Sequence, residues 1–182
     1  MNIRLSNEKA FTLIEVIVSM VLIAIIGVVA GMGLVQIANG YVFAKQNAET
    51  VQKAQITMAR IKKELVNATS ISTTTLPTAT SITYTRPVST GSTTSITNTI
   101  TISGGLVTIN INGGTTAYTL TNNVVTASSS FSYTLVGNSQ TTTPTAAQVP
   151  NIYRIDIALV LSGANSIPCT LNSSVVMQES FW

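Results

Sequence analysis

From Val16 to Ala38 the chain reads VIVSMVLIAIIGVVAGMGLVQIA, 23 residues without a charge. Coiled as a helix rising about 1.5 Å per residue, this run reaches roughly 35 Å, enough to cross the hydrocarbon of a bilayer. It is longer than the apolar stretch of an ordinary secretory signal and runs on instead of closing at a small-x-small cleavage site. The polar stretch ahead of it, MNIRLSNEKA, carries Arg4 and Lys9, which by the positive-inside tendency stays cytoplasmic, so the C-terminal bulk is expected to be exported. Hydrophobic residues make up 45% of the 182, yet aromatics are only 5% and charged residues 8%. Thr and Ser supply about a quarter of the chain, so the apolar residues must be concentrated in one part of it. There is no His and one Cys, Cys169. That composition excludes Ser-His-Asp and Cys-His nucleophilic sites, His-ligated zinc, multi-Cys clusters and an intrachain disulfide. The net charge of +3 rests on so few acids that it says little about partners.

Glu15 is the anomaly, an acid at the edge of the run, where central insertion costs about 2.5 to 3.5 kcal/mol. One explanation is that it marks the interface, since acids are favoured near a helix N-terminus. The other rests on its neighbours. Phe11-Thr12-Leu13-Ile14-Glu15, with a basic leader and small Ala10 before it and about twenty apolar residues after it, resembles the N-terminal signature of type IV prepilin-like proteins over residues 8 to 38. The resemblance implies that a prepilin peptidase cuts the Ala10–Phe11 bond on the cytoplasmic side and methylates the new amine of Phe11. Glu15 then becomes the fifth mature residue, and its implied role is assembly. An unpaired carboxylate in lipid seeks a cation, and the amino terminus of a neighbouring subunit supplies one, setting register. Two positions depart from the usual pattern: Ala10 stands where glycine is usual, and Met32 where many major pilins carry proline. Gly27, Gly31 and Gly33 can loosen the helix in that region, and Gly27 with Gly31 forms a GxxxG that is either a helix contact or ordinary membrane-helix glycine.

After Asn39-Gly40, a candidate flexible point, small or apolar residues recur at Ala44, Ala48, Val51, Ala54, Met58, Ile61 and Leu65, as one helix face requires. Lys45, Gln46, Glu49, Gln52, Lys53, Arg60, Lys63 and Glu64 fall largely on the other face, with Glu49–Lys53 and Arg60–Glu64 at i,i+4 spacing. The stripe suits docking on a sheet, with a coiled-coil seam as the competing arrangement. Past Asn67 the sequence turns to Thr, Ser, Ile and Val with Gly and Asn turns, which is strand chemistry. Expected strands are 81–86, 96–103, 106–111, 115–121, 124–126, 131–136, 153–161 and 169–178. Gly104-Gly105, Asn112-Gly113-Gly114 and Asn122-Asn123 read as hairpin turns, predicting an antiparallel meander from Ile96 to Thr126. Tyr153, Ile155, Ile157, Leu159 and Leu161 alternate with Arg154, Asp156, Ala158 and Val160, which predicts a central strand. Residues 70–80, 86–95 and 137–151 read as Ser/Thr/Pro-rich connections.

The expected fold is α+β and pilin-like: a long N-terminal helix, half transmembrane and half amphipathic, packed on an antiparallel β-sheet. Its expected parts are a cleavable leader at 1–10, a helix at 11–68 that is transmembrane to about residue 38, and a Thr/Ser-rich β domain at 69–182. Candidate chemistry is sparse. Between Leu65 and Tyr153 the only charge is Arg86, and beyond lie Arg154, Asp156 and Glu179. Asp156 with Glu179 is the one carboxylate pair the β domain could assemble, and a solvated Arg154–Asp156 strand face is the plainer expectation. Every Lys precedes the β domain, which leaves no Ser-Lys nucleophile there, and a carboxylate-rich calcium site lacks ligands. Two arginines neutralise about two phosphates, so nucleic-acid binding is disfavoured. Cys169 is expected to be a small buried hydrophobe, and Phe181-Trp182 to tuck onto the sheet or dock a neighbour. The sequence therefore suggests no enzyme and no cofactor, but a structural subunit, of minor type, of a type IV pilus or type II secretion pseudopilus. The resemblance implies as partners other pilin or pseudopilin subunits, the prepilin peptidase, an inner-membrane assembly platform and, before assembly, membrane lipid. A DNA-uptake or surface-binding pilin and a non-polymerising signal-anchored protein are the alternatives.

Overall fold

The computed structural model describes residues 12–89 and 92–177, which divide between Lys45 and Gln46 into two compact units. One helix, α1 (Leu13–Val66), begins in the first unit and ends in the second. It runs without interruption through Asn39-Gly40, where the sequence suggested a flexible point. A single glycine costs a helix about 1 kcal/mol against alanine, too little to break one of this length. In the first unit every described residue up to Val42 is exposed, including Leu13, Ile23 and Ile37.

The second unit holds the rest of α1 and nine described strands in two antiparallel sheets. The first sheet keeps sequence order: β1 (Ser70–Ile71), β2 (Ser81–Pro87), β3 (Ser95–Ser103), β4 (Leu106–Asn110) and β5 (Ala117–Thr121). The other is built from β6 (Ser130–Leu135), β7 (Gln140–Thr141), β8 (Ile152–Ser162) and β9 (Pro168–Val176), in the order β7-β6-β8-β9. Gly104 and Gly105 take φ of 58° and 76°, as a tight turn between β3 and β4 requires, and Asn112 and Gly113 do the same with φ of 57° and 63°. Strand β8 lies between β6 and β9, the central place its alternation predicts.

Three expectations about the strands need correction. The expected strand at 124–126 does not form: Val124 makes one isolated bridge to Leu161 and the chain then coils into a 3-10 turn at Thr126–Ser128. Asn123 at φ 60° turns the chain there, and the N–H of Val125 donates to the Val160 carbonyl on the second sheet, so the meander ends at Thr121. Two of the expected connections carry short edge strands, β1 and β7. Tyr153 does not share a face with Ile155. The register of β6 on β8 shifts so that Thr134 faces Arg154 and Leu135 faces Ile152, leaving Tyr153 as a bulged extra residue. Ile152 takes the core position instead, and the Tyr153 hydroxyl donates to Asn138 Oδ1 at 2.7 Å.

The core is one cluster shared by helix and sheets. Ala54, Met58, Ile61 and Leu65 contribute from α1, Ile82, Ile100, Ile102, Val107 and Ile109 from the first sheet, and Phe131, Tyr133, Ile155, Ile157 and Leu159 from the second. The stripe is covered only from Ala54 onward, since Ala44, Ala48 and Val51 remain exposed. The buried face of α1 also includes Thr57 and Glu64. Placing Glu64 on the polar face is therefore wrong, because steps of three and four from Ala54 through Thr57 and Ile61 lead to it.

Candidate functional site

The start of α1 is locally encoded. The N–H of Glu15 donates to the Thr12 carbonyl at 3.0 Å and lies 3.4 Å from Thr12 Oγ1, and the N–H of Val16 reaches the same carbonyl at 3.3 Å. Thr12 and Glu15 have the Thr-x-x-Glu spacing of a capping box, so an orphan helix donor is met by a side chain. Such a cap matters in lipid, where water cannot satisfy a free N–H. Glu15 occupies the first turn, where the helix dipole favours a negative charge. Its side chain is exposed beside Ile14, Val18 and Leu22, with no partner for its carboxylate among the described residues. The other sequence-predicted site residues, Ala10 and Phe11, lie outside the described residues, as do Glu179 and Phe181-Trp182.

A second cluster escaped the sequence analysis. Glu64 is 5% exposed and is surrounded by donors. Its Oε1 pairs with an Arg60 terminal nitrogen at 2.8 Å, and its Oε2 lies 3.0 Å from Arg86 Nε, an ion-pair contact off the N–H axis. The same Oε2 accepts from the Tyr84 hydroxyl at 3.0 Å and from Asn98 Nδ2 at 3.4 Å. Tyr84 and Asn98 face each other across the β2–β3 register, and Asn98 Oδ1 in turn accepts the N–H of Asn112 at 3.1 Å. Burial first, and the Glu64 charge second, push the Tyr84 hydroxyl well above the usual phenol range. With both oxygens of Glu64 engaged, this cluster ties helix to sheet and offers no free base or metal ligand. The signal that could have revealed it was the heptad-like continuation of the Ala54–Thr57–Ile61 face.

Asp156 is likewise occupied. Arg154 Nε lies 3.1 Å from each of its oxygens, and Thr134 Oγ1 donates to Oδ2 at 3.1 Å. Among the described residues no three His, Cys, Asp or Glu side chains come together as a metal site would need. Cys169, expected to be a small buried hydrophobe, is a free thiol only half-buried, because it lies on β9 at the edge of its sheet.

Residues 5–31 match the family model of the prokaryotic N-terminal methylation motif, which is the type IV prepilin-like signature. No curated protein and no solved structure matches the chain. The match spans Ala10, Phe11 and Glu15, overlaps the first part of α1 and precedes the antiparallel sheets described above.

Proposed function

We propose that the chain is the precursor of a structural subunit, of minor type, in a type IV pilus or type II secretion pseudopilus. The observation that carries this is the methylation motif at residues 5–31, which overlaps a helix whose apolar side chains stay exposed from Leu13 to Val42. A surface of that kind needs lipid or neighbouring helices around it. The prepilin peptidase cleaves between Ala10 and Phe11, freeing the leader at 1–10. Helix α1, embedded to about residue 38, waits in the bacterial inner membrane with the β domain outside. It then enters a periplasmic or extracellular filament through an assembly platform and other pilin or pseudopilin subunits. Glu15 pairs with the amine of a neighbour's first residue. Because lipid and filament core are similarly apolar, burying the helix adds little on transfer, and the charge pair fixes register. Its work is structural and not catalytic. Both β-domain arginines are held in ion pairs, Arg86 by Glu64 and Arg154 by Asp156, which favours this reading over a nucleic-acid-binding pilin.

Intact mass and terminal sequencing of the protein from its native envelope test the processing step. Methylated Phe11 is the expected start, and an intact Met1 or a cut beyond residue 30 overturns it. Glu15→Ala then tests assembly, with processing expected to continue and filament entry to be lost. Unchanged incorporation would leave the chain a signal-anchored protein that does not polymerise.

A further inference from the structure

The sheets cover one face of α1, and the face they leave open has a regular spacing of its own. Ala48, Gln52, Gln55, Ala59, Lys62 and Val66 follow one another by four, three, four, three and four residues, the heptad step of a coiled-coil seam. With 3.6 residues per turn they form one stripe on the side of the helix away from buried Ala54, Thr57, Ile61 and Leu65. Lys62 is half-buried and the others are exposed, as is Ile56 beside them. Alanines and glutamines make a low ridge that another helix can approach closely, with apolar Val66 at its end.

Charge decides which helix that is. From Gln46 to Val66, α1 carries Lys53, Arg60, Lys62 and Lys63 against only Glu49 and Glu64. Glu64 is held by Arg60 and Arg86, and Glu49 is already engaged. Asp156, on β8, is held by Arg154. Lys53, Lys62 and Lys63 have no ion-pair partner among the described residues, and from Gln46 onward those residues include no unpaired acid to offer a second copy. Four cations against two acids leave each copy of the segment with an excess of two, which no sliding of one copy along another removes. Lys62 adds register to this, because it lies in the seam itself. Side by side and level, two copies would press Lys62 against Lys62 as they desolvated.

We infer that this seam docks a parallel helix of a different chain, one that presents carboxylates opposite Lys62 and Lys63. Opposite charges there satisfy the lysines, and repulsion excludes a second copy. The inference names the kind of neighbour for the filament subunit proposed above and rests on that reading for the presence of a parallel helix.

The test uses the full-length chain in membranes, with a charge-reversed copy of it as a defined acidic partner. For axes about 8 to 10 Å apart and Cα atoms about 2.3 Å from each axis, Ala59 residues facing across the seam have Cα atoms about 3.5 to 5.5 Å apart, within disulfide reach. In a Cys169→Ser background, Ala59→Cys is placed in the native-charge chain and in a Lys62→Glu/Lys63→Glu chain of distinguishable size. Under mild oxidant the mixed pair should link at least tenfold more than either chain with its own kind, and the excess should shrink as salt rises. Thr119→Cys on β5 should link equally little in every combination. Unchanged protease resistance verifies that the reversed chain folds. Lys62→Gln/Lys63→Gln is the milder variant, and by relieving repulsion it should raise self-linking through Ala59→Cys. Folded chains that link equally in all combinations, or neutralised chains that self-link no more than native-charge ones, overturn the inference. Linking is read in the membrane and processing at the N-terminus, so the two readings fail separately. A methylated Phe11 start without the selective link overturns the inference alone, and a selective link with an intact Met1 overturns the filament reading alone.

Discussion

Arg86 Nε stands 3.0 Å from Glu64 Oε2, so the only charge between Leu65 and Tyr153 is turned inward onto the helix. Taking away the carboxylate would leave Arg86, Tyr84 and Asn98 without their shared acceptor. Removing one member of a buried ion pair costs about 3 to 5 kcal/mol. The lower end applies, because Arg60 is 43% exposed and can turn to water. Glu64→Ala should therefore lower unfolding stability by about 3 kcal/mol in denaturant titrations of the full chain. A Glu64→Ala/Arg86→Ala double variant should lose less than the sum of the singles.

Two buried phenols set the alkaline limit. Burial, and for Tyr84 also Glu64, raises the Tyr84 and Tyr133 hydroxyls above the ordinary value of 10.0. Tyr133 donates to the Thr78 carbonyl at 2.9 Å. Above about pH 10 the unfolded chain releases these protons and the folded chain retains them, so the unfolded state binds fewer protons and stability falls as pH rises. The contribution is complete below that pH and is lost as pH climbs toward the folded values. Stability measured from pH 8 to 12 should decline from about pH 10, and Tyr133→Phe should flatten the decline.

The covered face of α1 makes a contrast within one helix. Ile61 is 0% exposed and Ile56 is 71% exposed, five residues apart. Ile61→Ala removes core volume against both sheets and should cost about 2 to 5 kcal/mol, whereas Ile56→Ala should stay within about 0.5 kcal/mol. Equal effects would mean that the helix does not dock through the Ala54–Leu65 face.

How much of the fold and of the candidate site is legible in the sequence depends on how local the encoding is. The apolar run, the Gly-Gly and Asn-Gly turns and the alternation of β8 each rest on near neighbours, and each appears where the pattern puts it. The Phe11–Glu15 motif is equally local, and residues 5–31 match the methylation model. Glu64 is harder to place because a charge is a poor sign of burial unless its partners are known, and Tyr84, Arg86 and Asn98 lie 20 to 34 residues away. Tyr153 departs from its strand's alternation because a bulge is a property of the strand pair. Nothing in TLTNNVVTASSS announces that the chain leaves one sheet for the other at Asn123.

Gly163 offers a test of the junction between α1 and the end of β8. A Cβ built on it would stand 2.7 Å from Asn47 Oδ1 and 3.1 Å from the Ile167 carbonyl oxygen. Its φ of −85° is open to any residue, so the need for glycine is steric and not conformational. Asn47 cannot simply turn away, because its Oδ1 accepts the N–H of Ala164 at 3.0 Å. Gly163→Ala should therefore destabilise by about 1 to 3 kcal/mol, through overpacking and loss of that hydrogen bond. Asn47→Ala alone should cost about 1 kcal/mol, the ordinary net value of such a bond. With the side chain that blocks the new methyl gone, the double variant should be more stable than the two single losses predict, by at least about 0.5 kcal/mol on the scale of neighbouring-residue coupling. Strict additivity would place the obstruction at the Ile167 carbonyl, and the strain would then belong to the turn before β9 instead of the helix contact.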